Sequence, residues 1–131
     1  MRWEFHNDAP IYAQLVDRIR RMIVSGSLPP GERIPSVRAL AMEAGVNPNT
    51  MQKALTELER DGLVFSQRTA GHFVTEQTET IEKAKQELAL RQIQQFLKGL
   101  TELGFTPQEA AALLEQQINE KGEKSDGDLD L

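Results

Sequence analysis

Asn49, Gln52, Lys53 and Thr56 recur at helical spacing, with Thr50 beside them, while Met51, Ala54, Leu55 and Leu58 between them are apolar. A helix from Pro48 to about Asp61 would bury one stripe and present the polar residues on the other side. Asn and Gln side chains can pair with adenine edges in a duplex major groove, and Lys can reach guanine or a phosphate. The same residues would also suit the solvated side of an ordinary amphipathic helix, and composition alone does not separate the two readings. Arg68 is placed differently, in the Arg68-Thr69-Ala70-Gly71 link between two short strand-like runs. There it would ride the tip of a hairpin, projected by a turn expected at Thr69-Ala70-Gly71. Narrow A·T-rich minor grooves concentrate negative potential and attract arginine.

Other chemistries find little support in the chain. It has no cysteine, which excludes disulfides, thiolate metal sites and cysteine nucleophiles. His6 and His72 are the only histidines, too few for a histidine-rich metal cluster. His72 is expected to be a strand residue facing solvent or a nucleic-acid sugar. Asp126, Asp128 and Asp130 alternate in a Gly/Ser/Lys-rich end, which reads as a solvated acidic tail; a calcium loop needs a longer ligand pattern ending in Glu. No phosphate loop, triad or paired acid/base constellation is present, so neither an enzyme nor a bound cofactor is expected. No apolar run approaches the roughly 18 residues of a membrane span, and the N-terminus lacks a signal-like stretch. The expected compartment is the cytoplasm.

The net charge of −5 looks unsuited to a nucleic-acid partner until the chain is divided. Residues 1–75 hold nine Lys/Arg against eight Asp/Glu, whereas residues 76–131 hold six against twelve. Counterion release depends on local phosphate contacts, so an acidic C-terminal part says little about the N-terminal one.

The elements that would position these residues follow from hydrophobic period and breakers. Residues 10–25 form a first helix with Ile11, Tyr12, Leu15, Val16, Ile19, Met22 and Ile23 on one face. Ser36 caps a short helix that buries Val37, Leu40, Ala41 and Ala44, and Asn47-Pro48 starts the next. Leu63–Gln67 and His72–Thr75 read as two strands, and Trp3 and Phe5 as a short strand or an anchor on the core. A long helix from Thr78 to Leu103 carries Ile81, Leu88, Ile93, Phe96, Leu97 and Leu100 in one stripe. Thr106-Pro107-Gln108-Glu109 is a capping box that opens a last helix. Residues 121–131 are expected to be disordered.

Two short helices crossing steeply need a small residue at their contact, and Ala41 supplies it; the turn needs positive φ, and Gly45 is four positions later. With Leu40, Ala44, Val46, Met51 and Ala54 in phase and a hairpin following, the pattern is a winged helix-turn-helix. The expected fold is mainly α with a small β-hairpin wing: residues 1–75 as a DNA-binding domain, 76–120 as a helical dimerisation region and 121–131 as a tail. The alternative is a winged-helix module that binds another protein and not DNA.

Residues 10–75 closely resemble the GntR family of regulators, and its small YtrA-like branch in particular. The resemblance rests on Pro10-Ile11-Tyr12-Ala13-Gln14-Leu15, the run from Gly26 through Pro35-Ser36-Val37-Arg38 to Ala41, Val46 to Leu55, Leu58 to Leu63, and Gly71-His72-Phe73-Val74. It implies a homodimeric regulator, usually a repressor, often of its own operon, which in this branch frequently encodes an ATP-driven transporter. It also implies DNA contacts by Arg38, Asn49, Thr50, Gln52 and Lys53, with Arg68 and Gly71 at the wing tip. Three residues depart from the family pattern: Thr69 where Gly is usual, His72 where Thr is usual, and Pro48 where some members have Arg. These bear on the wing path and base preference. The partners expected are double-stranded DNA and a second copy, joined through Ile81, Leu88, Ile93, Phe96, Leu97 and Leu100, on a pseudo-palindromic operator. The C-terminal part is smaller than the ligand-binding domain of larger relatives, so no effector is assigned.

Overall fold

The computed structural model describes residues 3–124. The chain runs through α1 (Ile11–Val24), α2 (Val37–Ala44), α3 (Pro48–Arg60), β1 (Val64–Gln67), β2 (Gly71–Val74), α4 (Thr78–Glu102) and α5 (Pro107–Lys124). It divides into two compact units between Glu87 and Leu88, inside α4 and twelve residues beyond the expected boundary at Thr75.

In the first unit, α1 buries Leu15, Val16, Ile19, Met22 and Ile23, as its three- and four-residue spacing requires. The Ser36 hydroxyl accepts the Ala39 N–H at 3.1 Å, satisfying one of the orphan donors at the start of α2. Gly45 then takes the left-handed conformation, φ 73°, and lets the chain reverse into α3. Asn47 caps α3 by accepting the Asn49 N–H at 2.7 Å, and Pro48 occupies the first turn where its missing N–H costs nothing. Ala41, 2% exposed, lies in the core shared by α1, α2 and α3, where its small side chain lets two helices approach. Met51, Ala54, Leu55 and Leu58 fill that core from the inner face of α3.

β1 and β2 pair antiparallel, Val64 opposite Val74 and Gln67 opposite Gly71. A third extended piece joins them. Ile34 donates to His72 O at 2.8 Å and Val74 donates to Glu32 O at 2.9 Å, around a bridge between Arg33 and Phe73. The segment before Pro35 thus braces the hairpin from its far edge. Trp3 and Phe5 pack on the core as anchors rather than pairing as a strand, and Arg18 lies over the Trp3 ring. Ile81 and Ala84 of α4 also pack there.

In the second unit, the Thr106 capping box forms reciprocally: Thr106 N–H to Glu109 Oε1 at 2.9 Å and Glu109 N–H to Thr106 Oγ1 at 3.1 Å. Helix α5 continues to Lys124, so residues 121–124 are helical where a disordered tail was expected. Gly122 does not stop the helix, because a single glycine costs it only about 1 kcal/mol. Asp126, Asp128 and Asp130 lie outside the described residues.

Candidate nucleic-acid interface

The outer face of α3 is built by its inner one. Burying Met51, Ala54, Leu55 and Leu58 turns Asn49, Gln52, Lys53 and Thr56 outward, and all four are exposed; Thr50 is half-buried. Thr56 donates its hydroxyl to Gln52 O at 2.9 Å and accepts weakly from Gln52 Nε2 at 3.4 Å. The Gln52 amide is therefore held over its own helix while its remaining donor and acceptor stay open. Asn49 and Thr50 occupy the first turn, the part of such a helix that enters a groove first.

Arg38 is exposed in the first turn of α2, two residues after the Ser36 cap. Arg68 is exposed in the loop between the strands. That loop differs from the expected turn at Thr69-Ala70-Gly71. The Ala70 N–H bonds Gln67 O at 3.0 Å, which closes the turn one residue or more earlier and puts Arg68 at its first corner. Gly71 follows at φ 99° and begins β2. A side chain there would be strained, and its Cβ would come 3.4 Å from Arg33 Nε. Arg33 is thus a cation laid along the wing. Only the strand bridge and that glycine reveal it, and nothing in the local sequence does.

Arginines elsewhere on α1 and α3 are arranged differently. Arg20 pairs with Asp61, Arg21 with Asp17 at 2.8 Å and Arg60 with Glu57 at 3.0 Å. Among the described residues, no carboxylate pairs with Arg33, Arg38, Lys53 or Arg68. Among residues 3–75, positive charge is neutralised along α1 and the end of α3 and left uncompensated on α2, the outer face of α3 and the wing. That distribution suits a polyanion.

His72 departs from its expected place. It is 15% exposed, with Nε2 3.2 Å from Glu59 Oε1, rather than open to solvent or sugar. Glu59 Oε2 also receives the Ser66 hydroxyl at 3.4 Å, so one carboxylate ties the last turn of α3 to both strands of the wing. The histidine that replaces the family's usual threonine is a brace.

The six residues expected at a dimer interface separate. Ile81 packs on the first unit's core and Leu88 is 4% exposed, so both are taken up within the chain. Ile93 and Phe96 are exposed, and Leu97 and Leu100 half-buried. Ile93, Phe96 and Leu97 line an open apolar groove of about 420 Å³ with Pro107, Ala111 and Leu114 of α5. Leu90, Leu113 and Ile118 add further exposed apolar surface to the same two helices, and Leu103 to the turn between them. Sequence reading named the individual α4 residues of this surface and included α5 only as part of the 76–120 dimerisation region.

Helices crossing at a left-handed glycine, a hairpin braced at the helix end and an uncompensated polar face define a winged helix-turn-helix DNA-binding protein. The sequence profile described as "Bacterial regulatory proteins, gntR family" matches residues 11–74. The chain is 39% identical over 106 residues to the uncharacterized HTH-type transcriptional regulator YhcF of Bacillus subtilis, covering 81% of this chain and 88% of that one. It is 34% identical over 92 residues to the HTH-type transcriptional repressor YtrA of the same organism, covering 70% and 71%. A solved GntR family regulator from Listeria monocytogenes superposes with a TM-score of 0.78 at 32% identity, over 86% of this chain and 98% of that one. The AraR DNA-binding domain in complex with operator ORX1 matches at a TM-score of 0.54 and 30% identity, over 57% and 96%. The chain belongs to the GntR family. It is a DNA-binding transcription regulator similar to YtrA, and its relatives are regulators rather than enzymes.

Proposed function

We propose that the chain is a homodimeric repressor that binds a pseudo-palindromic operator in the cytoplasm. The observation that carries this reading is the pairing of two surfaces: an uncompensated polar face on α3, and an open apolar groove on α4 and α5 that no described residue of the second unit fills. Residues Ile93, Phe96, Leu97 and Leu114 bury most economically against a second copy. A two-fold axis then sets two α3 helices at a fixed separation, and the DNA they read must repeat with the same symmetry. Arg38 and Lys53 are the phosphate contacts of this reading, Asn49, Thr50 and Gln52 the base contacts, and Arg68, with Gly71 leading the chain from the turn into β2, the minor-groove contact.

Repression follows by likeness to YtrA, which is a repressor. A dimer seated on a promoter blocks polymerase without any further domain. The regulated genes are then the chain's own operon, encoding an ATP-driven transporter, as the resemblance to the YtrA-like branch implies. Chromatin capture of the full chain followed by sequencing tests this: enrichment at its own promoter supports autoregulation, and enrichment only elsewhere contradicts it.

A further inference from the structure

Lys53 and Tyr12 come from different helices, yet the Lys53 ammonium sits 4.0 Å above the centroid of the Tyr12 ring. Tyr12 is in the first turn of α1, half-buried, and packs against the core with the rest of that helix. The core needs only an apolar body at position 12, which leucine would supply. An aromatic ring adds a face that attracts a cation.

We propose that Tyr12 is a positioning residue for DNA binding: its ring is the platform that holds the Lys53 ammonium ready for a phosphate. The proposal rests on the DNA-binding reading above. Lysine is a point charge on a flexible four-carbon stem, and that stem must be ordered whenever the ammonium meets a phosphate. Ordering it beforehand removes part of that cost from the binding step. The usual partner for Lys53 would be Glu57, four residues on along the same helix. That carboxylate holds Arg60 instead, at 3.0 Å. Its absence from Lys53 matters, because a carboxylate would neutralise the charge and compete with phosphate. A ring face restrains the ammonium without neutralising it. The ring covers one side of the group, and the three N–H donors leave others free to point away.

A double-mutant cycle in the full chain tests the platform, with the duplex that the unmodified protein enriches most strongly from a random-sequence pool as the probe. Tyr12→Leu is expected to weaken binding roughly two- to fivefold, the range of an exposed cation–ring contact. Tyr12→Phe keeps the ring and is expected to bind as the unmodified protein does. In a Lys53→Ala background, Tyr12→Leu is expected to cause no further loss, because the platform then has nothing to hold.

Equal losses in both backgrounds would overturn the proposal in favour of a packing role for Tyr12. A loss with Tyr12→Phe matching that with Tyr12→Leu would overturn it in favour of a hydroxyl contact. No loss with Tyr12→Leu would overturn it outright. Should Tyr12→Leu fail to fold, Tyr12→Met fills the same space without a ring and serves in its place. Failure of the unmodified protein to enrich any duplex removes the DNA-binding reading itself, a result that needs no variant and so cannot be confused with the others.

Discussion

Arg38, Lys53, Arg68 and Gln52 differ in what their loss should do. A phosphate contact carries no sequence information, so Arg38→Ala is expected to weaken all duplexes alike and to reduce the salt dependence of binding by about one charge. Gln52→Ala removes an amide able to pair with an adenine edge; it is expected to cost roughly 1–3 kcal/mol on the preferred duplex and to relax the preference at one base pair. Titrations at several salt concentrations against preferred and scrambled duplexes separate the two. A Gln52 variant that weakens both duplexes equally would remove this residue from base reading. Replacing Arg38, Lys53 and Arg68 together with Ala should abolish binding while leaving the fold intact, since all three are exposed and none has a carboxylate partner among the described residues. The polar face of α3 was legible from residue type and helical period. Tyr12 and Arg33 were not, because each acquires its surroundings only when a residue more than thirty positions away folds against it. His72 was misread because its neighbour Glu59 lies thirteen residues back, on the preceding helix.

Among the elements, the wing depends most on a single backbone position. Gly71 has φ 99°, and a Cβ there would also press on Arg33 at 3.4 Å. Gly71→Ala is expected to cost about 1–3 kcal/mol, from strain in a region that L residues rarely adopt. It should also displace Arg33 and Arg68. Its melting temperature should fall, and footprinting with a minor-groove probe should lose protection, as in Arg68→Ala. Retained protection in both variants would show that the wing does not reach the minor groove. Ser36→Ala is a milder case: loss of its bond to the Ala39 N–H is expected to cost about 0.5–2 kcal/mol. The five helices and the hairpin could be read from caps, breakers and period, since Ser36, Gly45, Asn47-Pro48 and Thr106-Pro107 each act locally. The segment before Pro35 reads as extended, but its pairing with β2 could not be read, because a single bridge has no periodicity to display. The turn was also misplaced, since the Ala70-to-Gln67 bond is set by strand register rather than by residue type.

For the whole molecule, the unfilled apolar surface of the second unit makes its association state the decisive property. Phe96 and Leu114 line the groove and are 39% and 47% exposed, so replacing both with Glu should not open a core. The double variant is expected to sediment as a monomer and to bind DNA little above non-specific levels, because one winged domain reads only a short surface. A dimer that persists in this variant would place the interface elsewhere. Sequence reading put the domain boundary at Thr75, where the strand pattern ends. The structure divides at Glu87, because the first turns of α4 return Ile81 and Ala84 to the winged-domain core. A helix contributing to one core and then leaving it keeps the same apolar period throughout, so the period could not reveal the division. The most direct test of the account is to sequence the duplexes that the full-length protein retains from a random pool. One short motif present twice in inverted orientation is expected, its centres about one helical turn apart, roughly 34–36 Å. Retention with no sequence preference, or a single motif without its inverted partner, would contradict it.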